Sequence, residues 1–316
     1  MLITLTAFAL LLQGTPAPPP PQTPRWKVHA PAPPRWSSRR DRDQDTDSNV
    51  TRDTTFAVRS GQRLDVDNFG GSITVTAWNQ DRIRVSAPAS SDPFTVDVGS
   101  VTVHVSTQAE DSRGPGESDL TIQVPAWMEL ELSGNEVDVS TRGTRADIQV
   151  NTVQGNVTID GGEGNVEANS VEGDLVISNV RGRVELNTTE GSVTLRNISG
   201  TDLDVETVDG SIDMTGVTTP NIQANTVDGN ISWGGTLSAG GTYRFSTHDG
   251  DLTLAIAGDP DALVSVETFD GSIESDWPVT LHGNNHKTTF TLGSGRAHLE
   301  LSSFDGTISL KRGASR

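Results

Sequence analysis

The amino-acid sequence predicts an all-β protein folded as a single-stranded, right-handed parallel β-helix or solenoid, with about 18–21 residues per coil. Three observations support this fold class. A glycine-ending phrase recurs along the chain, apolar residues are spaced two apart within each recurrence, and glycine-containing bends separate the apolar pairs. Val, Ile and Thr are common in these segments, and they favour strands over helices.

The recurring phrase reads Asn-Thr-Val-Gln-Gly at 151–155 and Glu-Thr-Val-Asp-Gly at 206–210. Its last residue, the marker glycine, is Gly155, Gly173, Gly191, Gly210, Gly229, Gly250, Gly271 or Gly306. The steps between marker glycines are 18, 18, 19, 19, 21, 21 and 35 residues, which indicates a repeat architecture. An antiparallel blade or barrel is the alternative, but it would usually need a period near 40 residues.

Apolar residues in each repeat are predicted to face a shared interior. In the second copy they are Val171, Leu175, Ile177, Val184 and Leu186. A spacing of two is the alternation of a strand with one buried face. Equivalent strands of successive coils would stack on one another in parallel about 4.8 Å apart, and parallel crossovers are nearly always right-handed. We therefore expect one interior file to contain Val157, Leu175, Val193, Ile212 and Ile231.

Composition restricts the chemistry. None of the 316 residues is cysteine, which excludes disulfides, thiolate nucleophiles and cysteine metal sites. The net charge is −19, and residues 56–316 alone carry 16 basic and 37 acidic groups, or −21. Such a surface repels nucleic acid and anionic lipid headgroups, so we expect no nucleic-acid partner.

The N-terminal segment indicates export. Residues 2–12 form an apolar run that is too short to span a bilayer but suits the core of a secretory signal, although no basic residue precedes it. We assign 1–17 to a signal peptide and 18–53, rich in proline and charge, to a disordered linker. The mature chain should contain no transmembrane helix and should be periplasmic, on the cell surface or extracellular.

The remaining chain divides into two β segments. We assign 54–134 to irregular N-terminal coils, with strands expected at 94–98, 101–106, 119–124 and 128–132. We assign 135–312 to regular solenoid repeats with a C-terminal cap.

Three motifs resemble a known family. They are Leu-Asp-Val-Asp-Asn-Phe-Gly-Gly-Ser-Ile-Thr-Val-Thr-Ala-Trp at 64–78, Ile-Gln-Val-Pro-Ala at 122–126, and Thr-Val-Asp-Gly-Ser-Ile at 207–212. Together they resemble the bacterial adhesin-like β-strand-repeat proteins, a family without assigned function. The resemblance covers about residues 54–310 and implies an exported single-chain β-helix with no known catalytic residues. The long leader and the 35-residue step before Gly306 depart from the plain pattern.

An acidic residue precedes most marker glycines. The resulting column is Glu172, Glu190, Asp209, Asp228, Asp249 and Asp270, continued by Asp305. Stacked carboxylates repel one another by roughly 1 kcal/mol in water, and Ca²⁺ could relieve this repulsion. However, one carboxylate per coil is few for an ion that takes six to eight oxygens, and Asp-Gly is also ordinary bend chemistry. We expect no catalytic, cofactor-binding or metal residue and no cofactor, with a calcium-binding column as the alternative.

Two polar columns are expected to reinforce the stack. The hydroxyl column is Thr152, Ser170, Thr188, Thr207, Thr226, Thr247, Thr268 and Ser303. The amide column is Asn151, Asn169, Asn187 and Asn225. A carbohydrate that hydrogen-bonds to either column is the alternative.

His248 should occupy an inward position shared with Val227 and Phe269. Trp277, Phe290 and Phe304 should close the C-terminal end of the core, with an aromatic sugar-binding platform as the alternative. His282 and His286 lie four residues apart around a loop-like segment, so we expect no metal site there.

No Ser–His–Asp arrangement, phosphate loop or dinucleotide fingerprint appears. We predict an exported, non-enzymatic binding or structural module whose partner is an unidentified envelope or extracellular polymer or protein. A carbohydrate-active enzyme on a parallel β-helix and a calcium-stabilised envelope scaffold are the alternatives.

Overall fold

The computed structural model describes residues 52–109, 116–279, 282–283 and 287–313. Over these ranges the chain is all-β, and no helix there is long and apolar enough to cross a membrane. The predicted signal peptide at 1–17 and nearly all of the predicted linker at 18–53 lie outside the described residues.

Seven strands precede the regular repeats. They are β1 (Asp53–Ala57), β2 (Arg63–Trp78), β3 (Arg82–Ser86), β4 (Phe94–Val98), β5 (Thr102–Thr107), β6 (Glu117–Pro125) and β7 (Glu129–Arg142).

The regular repeats contribute two strands per coil. They are β8 (Ile148–Asn151), β9 (Val157–Asp160), β10 (Glu163–Asn169), β11 (Leu175–Ser178), β12 (Arg181–Asn187), β13 (Val193–Arg196), β14 (Asp202–Glu206), β15 (Ile212–Thr215), β16 (Asn221–Asn225), β17 (Ile231–Gly235), β18 (Thr242–Asp249) and β19 (Leu252–Ala257). The C-terminal strands are β20 (Ala262–Thr268), β21 (Ser272–Ser275), β22 (His282–Gly283), β23 (Lys287–Leu292), β24 (Ala297–Asp305) and β25 (Thr307–Gly313).

Strand pairing forms two long strips joined through β2 and β7, which belong to both. The first strip has the order β4-β5-β2-β7-β8-β10-β12-β14-β16-β18-β24-β20-β23-β22. The second strip has the order β1-β3-β6-β2-β7-β9-β11-β13-β15-β17-β19-β25-β21. Most pairs are parallel, as a solenoid requires.

The predicted interior file is confirmed. Register pairs Val157 with Leu175, Leu175 with Val193, Val193 with Ile212, and Ile212 with Ile231, and all five side chains are fully buried. Leu252 and Ile308 continue the file. Each coil therefore buries its apolar residues against equivalent residues of its neighbours, and no single repeat needs a core of its own.

The order of the coils departs from the sequence at the N-terminal end. β2 lies between β7 on one side and β5 and β6 on the other, so the coil at 63–78 is second from the end of the stack. The expected strands at 94–98, 101–106, 119–124 and 128–132 are all present, as β4, β5, β6 and the start of β7.

The C-terminal end repeats this arrangement. β24 and β25 lie between the coil of β18 and β19 and the coil of β20 and β21, with parallel pairing on both sides. The expectation that successive coils always lie on one another is therefore wrong at both ends. Antiparallel pairs occur only there, between β1 and β3, β3 and β6, β4 and β5, β20 and β23, and β22 and β23, among the described strands. Such pairs cover strand edges that would otherwise invite association.

The marker glycines are required because consecutive coils approach closely there. A β-carbon on Gly210 would lie 2.1 Å from the carbonyl oxygen of Gly191, and Gly210 has a φ of 159°. The same contact places Gly306 against Gly250 and Gly271 against Gly306, which follows the spatial order of the coils and not their order in the sequence.

Candidate binding groove and its surroundings

A groove of about 950 Å³ runs along the edge of the stack where each second-strip strand ends and the chain bends toward the next coil. It begins beside β7 and ends beside β25, which are seven strand spacings apart, or about 33 Å. This corner groove is lined by small and polar residues, among them Thr144, Gly162, Asn179, Asn197, Thr218 and Gly235. Its length suits an extended polymer better than a compact ligand.

Left-handed backbone forms the bend beneath the corner groove. Gly161 and Gly216 have φ values of 110° and 69°, and Asn179 and Asn197 have values of 57° and 55°. Asparagine tolerates this region better than most residues with a side chain. Asn197 donates a hydrogen bond to Asn179 Oδ1 at 3.2 Å, and Asn179 donates one to Asp160 Oδ1 at 2.7 Å. Amide groups are therefore stacked along the groove.

Few charges line the corner groove, namely Arg145, Glu163 and Arg181. Thr144 also lines it and is only 1% exposed, and its hydroxyl has no hydrogen-bond partner in the described parts of the chain. The next coil has Gly162 at the equivalent position, where there is no side chain to bond with this hydroxyl. The Thr144 hydroxyl is buried, so a molecule in the groove does not reach it, and a buried hydroxyl without a partner lowers stability.

The sequence indicates glycine-containing bends between the apolar pairs, and Gly161-Gly162, Gly216 and Gly234-Gly235 lie in such bends, but no site was assigned to them. The walls of the corner groove come from residues 18–21 positions apart, or 56 apart for Ala257 and Gly313, and each bend taken alone resembles an ordinary turn. The recurrence of glycine and asparagine at one position of successive bends was the available indication.

The predicted hydroxyl column is buried. Thr207, Thr226 and Thr247 are 5%, 6% and 4% exposed. Their hydroxyls donate to the carbonyl oxygens of Gly191, Gly210 and Gly229 at 3.2, 3.0 and 3.0 Å. Ser303 makes the equivalent bond to Gly250 at 3.1 Å. The column stabilises the stack where its hydroxyls bond to the marker glycine of the neighbouring coil, whereas the buried hydroxyls of Ser170 and Thr268 have no partner in the described chain. Burial keeps the column out of reach of a carbohydrate.

The residue after each hydroxyl points outward, and the inward position predicted for His248 is wrong. His248 is exposed, and Val227 and Phe269 are 47% and 61% exposed. Phe304, 46% exposed, stacks on His248 at 4.7 Å and on Phe269 at 4.9 Å between ring centroids. Because these rings cover each other's faces, they do not form the flat platform on which a sugar ring would stack.

The expected aromatic closure of the C-terminal end holds for two of its three residues. Phe290 is 4% exposed and Trp277 packs on the core beneath the guanidinium of Arg312, which lies 5.6 Å from the ring centroid. Phe304 instead lies on the outer surface. The side chains of His282 and His286 lie outside the described residues.

The acidic column is in register on the surface. Bridges join Glu172 to Glu190, Glu190 to Asp209, Asp209 to Asp228, and Asp228 to Asp249, and Asp249 pairs with Asp305. These side chains and that of Asp270 are exposed. The column supplies one carboxylate per coil, and calcium binding by it stays a hypothesis for experiment.

The amide column is confirmed for three of its four residues. Asn169 donates to Asn151 at 3.0 Å, and Asn187 donates to Asn169 at 2.9 Å. Glu206 then occupies the position between Asn187 and Asn225 and interrupts the column.

Next to this interruption lies Asp204, whose Oδ1 is buried without a hydrogen-bond partner in the described chain. Burial and the charges of Glu206 and Glu185 raise the pKa of Asp204 to about 6, against an opposing effect of Arg183.

A histidine and two aspartates meet on the first strip near the N-terminal end, a cluster that sequence analysis missed. His104 on β5 lies opposite Asp65 on β2. Its Nδ1 is 3.2 Å from Asp65 Oδ2, and its Nε2 is 3.8 Å from Asp67 Oδ2. The hydrogen bond to Asp65 raises the pKa of His104, against partial burial and with help from the charges of Asp65, Asp67 and Asp97. The two strands are separated by a non-repetitive segment, so spacing could not reveal the cluster.

Comparison with known proteins agrees with the family resemblance. The profile of the Toastrack family, DUF4097, matches residues 37–311. No curated protein matches the chain. A crystal structure of an adhesin-like protein from Bacteroides fragilis is 12% identical, with a TM-score of 0.42, over 81% of this chain and 95% of that one.

A cell-adhesion-like protein from Clostridium sporogenes is 11% identical, with a TM-score of 0.18, over 83% of this chain and 99% of that one. Neither similarity is close enough to transfer a ligand or a partner. The family match, by contrast, spans most of the sequence, and this chain belongs to the Toastrack family.

Proposed function

We propose that this protein is an exported, non-enzymatic binding and structural module of the cell envelope that holds a linear, uncharged polysaccharide in the corner groove. The coil is right-handed, with about 18–21 residues per turn, and the polysaccharide lies parallel to its axis. The observation that carries the proposal is the groove itself, which continues over seven strand spacings with small and polar residues on its walls.

The lining supports a carbohydrate ligand. Amides lie on two consecutive coils, at Asn179 and Asn197, and hydroxyls lie on three, at Ser199, Thr218 and Thr236, with a strand spacing of about 4.8 Å between coils. These groups can hydrogen-bond to the hydroxyls of an extended glycan. Glycines allow close approach of the backbone, as at Gly161 and Gly162. The three lining charges are of mixed sign, and the net charge of −19 opposes a polyanion.

The proposal can be tested with soluble linear glucan, xylan and mannan titrated into the full chain by calorimetry. Thr218→Trp and Thr236→Trp place a large side chain in the groove from exposed lining positions. Ser232→Trp is the matched control, because Ser232 is exposed on β17 but does not line the groove. We expect at least one polysaccharide to bind the wild type and the control, and to lose affinity for both groove variants.

Equal binding by all variants, or no binding by the wild type, would reject the groove as the site. The enzyme alternative makes a different prediction. New reducing ends would appear on incubation with polysaccharide, and Asp209→Asn or Asp228→Asn in the acidic column would abolish them. We expect no such turnover.

The calcium alternative is tested by melting the chain with Ca²⁺ and with a chelator. An equal melting temperature in both would remove it. A difference abolished by Asp209→Asn and Asp228→Asn would support it.

A further inference from the structure

The cluster of His104, Asp65 and Asp67 lies away from the corner groove, on the outer face of the first strip. One nitrogen of His104 and one oxygen from each aspartate lie within 4.8 Å of one another. The three side chains are 28–45% exposed, so solvent can reach them while neighbouring strands hold their backbones.

We propose that His104, Asp65 and Asp67 form a binding site for a zinc-class divalent cation, with water completing the coordination. Zinc accepts imidazole nitrogen and carboxylate oxygen at about 2.0–2.2 Å. In tetrahedral geometry, two ligand atoms on one zinc ion are therefore about 3.5 Å apart. The observed separations of 3.2 Å to Asp65 and 3.8 Å to Asp67 involve different ring nitrogens, Nδ1 and Nε2, and one nitrogen of His104 and one oxygen of each aspartate lie within 4.8 Å of one another. Zinc binding would therefore draw the three half-exposed side chains closer together, with one imidazole nitrogen and both carboxylates directed at the ion.

The ligand types select among cations. Calcium and magnesium prefer all-oxygen sites, whereas imidazole with carboxylates suits zinc and neighbouring transition metals. Three protein ligands on an accessible face leave a coordination position open, as in zinc sites that retain a water.

A neighbouring hydroxyl positions one of the proposed ligands. Ser133 on β7 donates a hydrogen bond to Asp67 Oδ1, which leaves Oδ2 directed at His104. Outer contacts of this kind orient metal ligands. Further negative charge surrounds the site, because Asp97 pairs with His104 and Glu131 pairs with Asp65 across the strip. Glu131 is partly balanced by Arg63 at 3.8 Å, and the remaining carboxylates favour a cation.

Bound zinc would join two coils that are distant in sequence. His104 lies on the outer coil and the aspartates lie on the coil threaded beneath it, 39 residues away at Asp65. A cation bound only by the folded arrangement stabilises it by mass action. Zinc would therefore strengthen the N-terminal end of the stack.

The test uses the full chain, stripped of metal with a chelator and titrated with Zn²⁺ alone by calorimetry. We expect one dominant site in the wild type and a higher melting temperature with zinc. Ser133→Ala should lower the affinity by about 10–100-fold, and loss of a ligand in His104→Gln or Asp67→Asn should lower it further.

The controls are His298→Gln and the double variant His282→Gln/His286→Gln, which should bind zinc as the wild type does. His298 is exposed on the same strip, opposite Thr242 and Leu263. Circular dichroism confirms that each variant folds, and Ser133→Ala provides the test if a ligand variant does not. Absence of binding by the wild type, or unchanged affinity in the ligand variants and Ser133→Ala, would overturn the proposal.

Discussion

The hydroxyl of Thr226 donates a 3.0 Å hydrogen bond to the carbonyl oxygen of Gly210, one coil earlier. Thr226 is 6% exposed, and a β-carbon on the next marker glycine, Gly229, would lie only 2.2 Å from the same oxygen. The coils therefore approach so closely that a side-chain hydroxyl, and not water, satisfies this carbonyl. Repetition of the contact along the stack explains why threonine precedes a marker glycine at a fixed distance.

Thr226→Val should lower the free energy of unfolding by about 1–2 kcal/mol, because it leaves the Gly210 carbonyl without its hydroxyl donor at nearly constant side-chain volume. Thr219→Val is the matched control. Thr219 is 1% exposed and its hydroxyl has no partner in the described chain, so its replacement should be neutral or stabilising. Chemical denaturation measures both values. Equal destabilisation by the two variants would show that the hydrogen bond contributes nothing.

Gly210→Ala should destabilise the protein by about 2–4 kcal/mol, because its β-carbon would overlap the Gly191 carbonyl and strain the backbone. Gly258→Ala separates these two effects. Gly258 has a φ of 79°, but no atom lies within 4 Å of an added β-carbon. Gly258→Ala should therefore lower the free energy of unfolding by only about 1 kcal/mol, from the left-handed backbone alone. Thermal and denaturant unfolding provide the comparison, and similar losses for both would contradict close approach of the coils.

The order of the C-terminal coils can be tested with an introduced disulfide, since the chain contains no cysteine. Thr242 pairs directly with His298, and His298 pairs with Leu263 on its other side. Thr242→Cys/His298→Cys should therefore form a disulfide under mild oxidation, because paired α-carbons fall within its geometric range.

Thr242→Cys/Leu263→Cys should not form a disulfide, because a strand lies between the two positions. Free-thiol titration and peptide mapping by mass spectrometry distinguish the pairs. If the second pair linked and the first did not, the coils would be stacked in sequence order.

Asp204 makes stability depend on pH. Its pKa of about 6 exceeds the ordinary value of 3.8, so the folded chain holds a proton that the unfolded chain releases between these values. Stability should therefore fall as pH rises from about 4 to 6. Because the carboxyl is only partly buried, we expect a loss of about 1–2 kcal/mol.

Asp204→Asn should remove this dependence and stabilise the chain at pH 7.5 by about the same amount. Asp213→Asn, an exposed change on the second strip, is the control and should leave the pH profile unchanged. Denaturant unfolding across this pH range measures the effect. A wild-type profile in Asp204→Asn would contradict the assignment.

The alternation of side chains along a strand predicts the orientation of Val227 and His248 better than hydrophobicity does. Ile222 and Ala224 face inward, and a strict period of two continues to Thr226, which places Val227 and its equivalent His248 outside. Hydrophobicity alone suggested the opposite, because valine and phenylalanine favour burial more than threonine does. The alternation of the strand decides which side chains are buried, and the hydroxyls of the buried Thr226 and Thr247 donate hydrogen bonds to glycine carbonyls.

Sequence by itself determined the all-β class, the repeat, the interior file from Val157 to Ile231 and the stacked asparagines, because each follows from the alternation within a coil or from its recurrence at a regular spacing. The tertiary structure decided what depends on contacts between distant segments. These are the threading of β2 and β24 into the stack, the continuous corner groove, and the meeting of His104 with Asp65 and Asp67. Backbone hydrogen bonds are the same for any parallel neighbour, so the sequence of a strand does not by itself state which strand will lie beside it.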